Sequence, residues 1–261
     1  MIGVGLSGPS GRVLGVRVDR VDYDEAVGRV IEAARAGRPL RVAAANVHVV
    51  MEARDDPALA RALEAFELVV PDGQPLRWAL DATGAPRLPG RVYGPELTRR
   101  VIVAAAAEGL PVFLYGATRA TLVAMTRRIA GDLAPGARIA GTIAPPFGEA
   151  LWGAAEADVA RIRESGARIV IVGLGCPRQE RWVGLHGVAV GVPCLAVGAA
   201  IDLLAGAKAM APGWMQDSGL EWLYRLGTEP RRTVRRYALH NPRFAALLAV
   251  DLARRRLRGP G

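Results

Sequence analysis

Lysine is nearly missing from this chain: of its 34 basic residues all but Lys208 are arginine. Cysteine is scarce as well. Cys176 and Cys194 alone cannot form a disulfide framework, and both fit reduced thiols beside strand ends. Neither has His or Asp neighbours at metal-ligand spacing, so no metal site and no cofactor are expected. Long apolar runs are absent too. Gly, Pro or charge interrupts each run before it reaches the roughly 18 to 20 residues that a membrane-spanning helix needs. The start, Met1-Ile-Gly-Val-Gly-Leu-Ser-Gly, lacks the basic opening and continuous apolar block of a signal peptide. These absences predict a cytoplasmic protein. With 261 residues, 51% of them apolar, the chain can bury one sizeable core, or one core and a small appendage.

Charge is present but unevenly placed. Between Glu221 and Gly261 ten arginines face only Glu221, Glu229 and Asp251, so +7 of the net +9 lies in the last 41 residues. The remainder is almost neutral. A basic tail marks a surface for an anionic partner: membrane phospholipid, nucleic acid or a diphosphate-bearing substrate.

Apolar strand-like runs occur at 40–46, 68–71, 112–116, 138–141, 169–173 and 194–198. Helix-period segments at 24–36, 57–65, 95–108, 119–133, 156–165 and 178–186 separate them. Such alternation predicts an α/β fold, a Rossmann-like parallel sheet with helices on both faces and ligands at the carboxyl ends of the strands. No internal repeat is present. After Asp202 the alternation stops, and the chain from about Trp214 reads as helical, basic and aromatic. The expected organisation is a catalytic domain over residues 1–210 and a helical, Arg-rich appendage over 211–261.

The most informative junction is Ile169-Val-Ile-Val-Gly173 running into Leu174-Gly-Cys-Pro-Arg-Gln-Glu-Arg-Trp182. A buried strand hands over to a helix at glycines such as Gly175, which places backbone N–H groups and helix-dipole charge where anions bind. Pro177 suits the first helical turn, while Arg178, Gln179 and Glu180 supply hydrogen-bonding groups. Arg178 and Glu180 either touch ligand or cap and brace the helix.

Other strand ends carry polar candidates. Asn46 either holds sugar hydroxyls or caps the following helix. Asp72, in Val69-Val-Pro-Asp-Gly-Gln74, suits a general base for a hydroxyl nucleophile, and Asp-Gly is also an ordinary turn. Arg91, ahead of a helix begun by Pro95, is a phosphate or sugar ligand or a surface arginine. Gly116 and the Val197-Gly-Ala-Ala-Ile-Asp202 turn repeat the strand-turn-helix arrangement, with Asp202 reading a nucleotide or capping a helix. Phe147, behind two prolines, either stacks on a base or plugs a core edge.

In this company the sequence resembles the WecG/TagA/CpsF glycosyltransferases, glycosyltransferase family 26, over nearly the whole chain. The resemblance rests on Asn46, Pro71-Asp72-Gly73, Arg91-Val-Tyr-Gly-Pro-Glu-Leu97, Val112-Phe-Leu-Tyr-Gly116, Ala144-Pro-Pro-Phe147 and Gly173 to Trp182. It continues through Val197 to Asp202, Ala211-Pro-Gly-Trp-Met-Gln216, Gly219 to Leu226 and Glu229-Pro-Arg-Arg232. It implies a metal-independent, inverting transfer of a sugar, N-acetylmannosaminyl, glucosyl or related, from a UDP-sugar to a polyprenyl-diphosphate-linked sugar. Asp72 is then the general base, with Asn46, Arg91, Gln179 and Asp202 lining the sugar and nucleotide pocket. Arg225, Arg231 and Arg232 match arginines of a membrane-binding segment that closes over the site. Ala44 departs from the Thr that many relatives carry there, so the donor sugar is not copied from the best-known members.

The expected partners are therefore a UDP-sugar, a lipid-linked acceptor and the anionic inner face of the cell membrane. The sequence is compatible with a homo-oligomer. Trp214, Trp222, Tyr224 and Tyr237 among arginines give an interface-seeking composition, or a helical hairpin packed on the body. Two other classes fare worse. A nicotinamide-dependent oxidoreductase would carry Gly-x-Gly-x-x-Gly after the first strand, which is missing. A nucleic-acid-binding protein would use the basic tail, yet no binding signature accompanies it.

Overall fold

In the computed structural model, which describes residues 9–84 and 86–258 apart from the side chains of Arg231, Arg232, Arg236 and Arg258, strands and helices alternate as the sequence predicts. A hairpin of β1 (Ser10–Val13) and β2 (Val16–Asp19) comes first, then α1 (Tyr23–Ala36), β3 (Leu40–Ala45), α2 (Val47–Asp55), α3 (Pro57–Glu64), β4 (Leu68–Pro71) and α4 (Gln74–Ala82). Next come α5 (Gly94–Ala107), β5 (Val112–Gly116), α6 (Arg119–Arg128), a π-helical turn over Ile129–Leu133, β6 (Ile139–Ile143), α7 (Ala150–Glu164) and β7 (Ile169–Gly173). The chain ends with α8 (Arg178–Val190), β8 (Pro193–Ala196), α9 (Ala200–Leu204), α10 (Gly213–Asp217), α11 (Glu221–Thr228) and α12 (Pro230–Arg258).

Strands β4-β3-β8-β7-β5-β6 form one parallel sheet, and the fold is α/β and Rossmann-like. Because side chains alternate along a strand, successive residues go to opposite faces, and here both faces are buried. Ala43, Val69, Tyr115, Val172 and Ala196 enter one core with Trp182 and Val183 of α8 and Leu59 of α3. Val42, Val70, Leu114, Ile171 and Leu195 enter the other, with Val30 of α1, Val101 of α5 and Met125 of α6. Every predicted strand is present. The hairpin, α2 and α4 were not foreseen, and α7 begins six residues before the 156–165 segment that the periodicity marks.

Local capping explains where helices start. Asp22, Asp56 and Thr118 each accept a backbone N–H in the first turn of α1, α3 and α6. At the other end Gly37 closes α1 in the left-handed conformation. The helices after β8 pack back on the body. Phe244 of α12 is buried in the first core beside Leu247 and Leu248, and Arg243 pairs with Asp55 of α2 through a 2.7 Å Nη2–Oδ1 hydrogen bond.

Candidate active site

Strands β3 and β4 lie side by side in register, with Ala45 opposite Pro71, so the residues that follow them emerge together. Asn46 takes the capping role and also reaches Asp72. Its Oδ1 caps α2 by accepting from His48 N at 3.0 Å, while its Nδ2 donates to Asp72 Oδ2 at 3.1 Å. The other carboxylate oxygen, Oδ1, accepts from Gly94 N at 2.6 Å. Burial pushes the Asp72 carboxyl above the ordinary carboxylate range, although Arg91, the Gly94 N–H and Asn46 all favour its ionised form. It is a carboxylate held in place and made more basic than usual.

Arg91 stands beside it. Its Nη1 reaches the Asp72 carbonyl oxygen at 3.4 Å and Glu221 Oε2 at 2.8 Å, and its guanidinium lies 4.2 Å from the centre of the Tyr93 ring. Glu221 accepts in turn from Tyr93 OH at 3.0 Å and from Arg225 Nε at 2.9 Å. Burial opposes ionisation of Glu221, yet Arg225 and Arg91 together hold it below the usual carboxylate range. The first turn of α11 is thus tied to the strand-end site by two guanidinium groups sharing one acid.

The Gly173 to Trp182 junction is organised by Gln179. This buried amide accepts through Oε1 from Gly175 N at 3.2 Å and from Gly198 N at 2.9 Å, and donates through Nε2 to Glu180 Oε1 at 2.8 Å. It braces two glycine turns against each other. Pro177 precedes α8 rather than entering it. Glu180 is fully buried, which answers the earlier alternative in favour of bracing, and Arg178 lies 5.6 Å over the ring of Phe147.

One pocket collects most of these groups at the carboxyl ends of β3, β4, β7 and β8. Asn46, Asp72, Arg91, Gly175, Gln179 and Arg225 all line it, together with Ala44 and Gly198. Three expected residues are not in its wall. Phe147 is 71% exposed, Gly116 lies buried under Gly173, and Asp202 pairs with Lys208 at 3.4 Å while Lys208 itself faces the pocket. The side chains of Arg231 and Arg232 lie outside the described residues. Sequence reasoning passed over Glu221, Tyr93, Lys208 and His240, which the pocket includes. For Glu221 the signal was there: it is one of three acids in an otherwise basic tail. A second cavity, about 690 Å³, also has Arg91 and Tyr93 in its wall and is lined by Arg77, Arg99 and Gln216.

A parallel sheet with a basic carboxylate and clustered guanidinium groups at its strand ends defines a Rossmann-like α/β protein equipped for group transfer. Its family is then given by comparison with known proteins. The model of the glycosyl transferase WecG/TagA/CpsF family matches residues 11–258, and the chain belongs to that family. It is accordingly a glycosyltransferase of cell-surface polysaccharide synthesis.

Proposed function

We propose that this protein moves a sugar from a UDP-sugar to the hydroxyl of a polyprenyl-diphosphate-linked sugar, with inversion and without a catalytic metal. The observation that carries the reading is Asp72: a carboxylate at a strand end, oriented by Gly94 and Asn46 and made more basic by burial, at the wall of the main pocket. Each of its oxygens keeps a second lone pair for an acceptor hydroxyl. Asp72 takes the hydroxyl proton as the oxygen attacks the anomeric carbon, the bond from that carbon to the diphosphate oxygen breaks, and UDP leaves.

Negative charge grows on the departing diphosphate. Arg225 and Lys208, both lining the pocket, are the donors that meet it in this reading. Two cavities that share Arg91 and Tyr93 in their walls suit a reaction with two substrates. The C-terminal helices expose Trp214, Leu223, Leu239 and Leu257 among arginines, a composition that supports docking on an anionic membrane surface at the inner face of the cell membrane. Among the described residues no helix is long and apolar enough to cross a membrane.

Following thermal stability during titration with UDP, NAD and an oligonucleotide separates the three functional classes. UDP alone raises the midpoint if the proposal holds; a response to NAD with none to UDP overturns it. Radiolabelled transfer from a panel of UDP-sugars to a synthetic polyprenyl-diphosphate sugar then identifies the donor.

A further inference from the structure

At the seam between α2 and α12 three metal-ligating side chains meet from opposite ends of the sequence. His48 lies in the first turn of α2, Glu52 one turn further along the same face, and His240 in α12. The Nδ1 atoms of the two histidines are 3.3 Å apart. Glu52 Oε1 lies 3.6 Å from His48 Nδ1 and 3.7 Å from His240 Nε2. One ligand atom from each residue falls within 4.8 Å of the other two.

His240 enters its distances to His48 and Glu52 through different nitrogens; with one donor atom from each residue the separations stay within 4.8 Å, from which side-chain rotation closes to a coordination shell. In a tetrahedral site with metal–ligand bonds near 2.1 Å, neighbouring donor atoms stand about 3.4 Å apart. The set is also held in place, since the side chains of His48, Glu52 and His240 are only 16%, 33% and 15% exposed. Two imidazoles and one carboxylate form a donor set for a first-row transition cation, whereas magnesium prefers an all-oxygen shell. The 2.7 Å Arg243–Asp55 bond lies at the same α2–α12 seam and aligns the two helices.

We propose that His48, Glu52 and His240 form a binding site for a divalent transition-metal cation of the zinc class, and that the bound ion fastens α12 to α2. Each imidazole binds in its neutral form, with its remaining ring N–H on the nitrogen that does not coordinate. Three protein ligands leave a fourth position for water, and His48 and His240 also line the main pocket. The ion clamps the pocket wall and takes no part in breaking the sugar–phosphate bond. The proposal therefore stands or falls separately from the transfer reaction.

The test is a Co²⁺ titration of the full chain after dialysis against a chelator. About one equivalent is expected to bind with the intense visible bands of tetrahedral Co²⁺ and to be displaced by Zn²⁺. Zn²⁺ also raises the thermal midpoint and slows proteolysis of α12, while Mg²⁺ does neither. His240→Ala loses the bands, and Glu52→Gln, which keeps the shape of the side chain, weakens binding by more than about tenfold. A weak octahedral spectrum, thiolate charge-transfer bands from Cys176, or unchanged titrations in Glu52→Gln overturn the site.

Discussion

Arg91 and Glu221 form a 2.8 Å ion pair whose side chains are only 9% and 12% exposed, and it joins the loop before α5 to the first turn of α11. Glu221 serves Arg225 and Tyr93 as well, so two guanidinium groups share one carboxylate at the pocket wall. The C-terminal helices are bound to the site by chemistry as well as by packing.

Removing that acid should release them. Glu221→Ala leaves two guanidinium groups in a poorly hydrated place, and breaking a buried pair by deleting one partner costs about 3–5 kcal/mol. Faster proteolytic cleavage within α11 and α12, with the sheet still intact by circular dichroism, is the expected outcome. Unchanged cleavage rates would show that packing alone holds the helices.

Asp72→Asn should stay folded and keep its affinity for UDP while sugar transfer falls by about 10² to 10⁴-fold, the range contributed by general base catalysis. Asparagine can still accept from Gly94 N, while its NH2 then meets the Asn46 Nδ2 donor, so one of the two orienting bonds is kept and the other is lost. Near-parental turnover in the radiolabelled assay would remove Asp72 as the base.

The raised proton affinity of Asp72 also sets the sign of two pH effects. The ionised form is the active one, so kcat/KM should fall on acidification with an apparent pKa above the ordinary aspartate value of about 3.9. Stability runs the other way. A carboxyl that binds its proton more tightly when folded stabilises the protein below the unfolded value and loses that contribution as pH rises through the folded one. Asp72→Asn should therefore gain in denaturation midpoint relative to the parent as pH rises from the unfolded value of about 3.9 until the folded carboxyl has ionised. A constant difference across that range would contradict the shift.

The sheet was legible because its strands are short, continuous apolar runs bounded by Gly, Pro or Asn, and both faces are buried. Asp72 and Asn46 were legible because strand ends gather polar groups in such folds. The role of Gln179 was not, since its two hydrogen-bond partners, Gly175 and Gly198, belong to different turns. Nor was the meeting of His48 with His240, which lie 192 residues apart and are joined only by how α12 packs. The hairpin of β1 and β2 escaped notice because its strands of four residues alternate too briefly to signal a strand.

Gly116→Ala should be strongly destabilising. Gly116 has φ +114°, and a Cβ there would lie 2.6 Å from the backbone of Gly173, where the parallel strands β5 and β7 end together. A loss of about 2–4 kcal/mol in chemical denaturation is expected, in line with backbone strain and overpacking combined. A loss below about 1 kcal/mol would mean that the two strand ends can part.

Truncation before Gly213 should abolish co-sedimentation with anionic liposomes and leave little transfer activity. It also uncovers the apolar surface on which Phe244 sits, so a lowered thermal midpoint is expected. The milder Trp214→Asp changes a residue that is 65% exposed and should weaken liposome binding without that loss of stability. Equal co-sedimentation of the truncated and full chains would remove the membrane role.

Glu221 acts on the strand-end site at a distance as well as through its direct partners. Burial and the Glu221 carboxylate both raise the proton affinity of Asp72, while Arg91 lowers it. Lifting α11 away would admit water, withdraw the acid and leave Arg91 facing Asp72 alone, three changes that all make the carboxylate a feebler base. The basicity of Asp72 therefore depends on α11 staying packed against it, and a surface helix sets the strength of a base at the sheet edge.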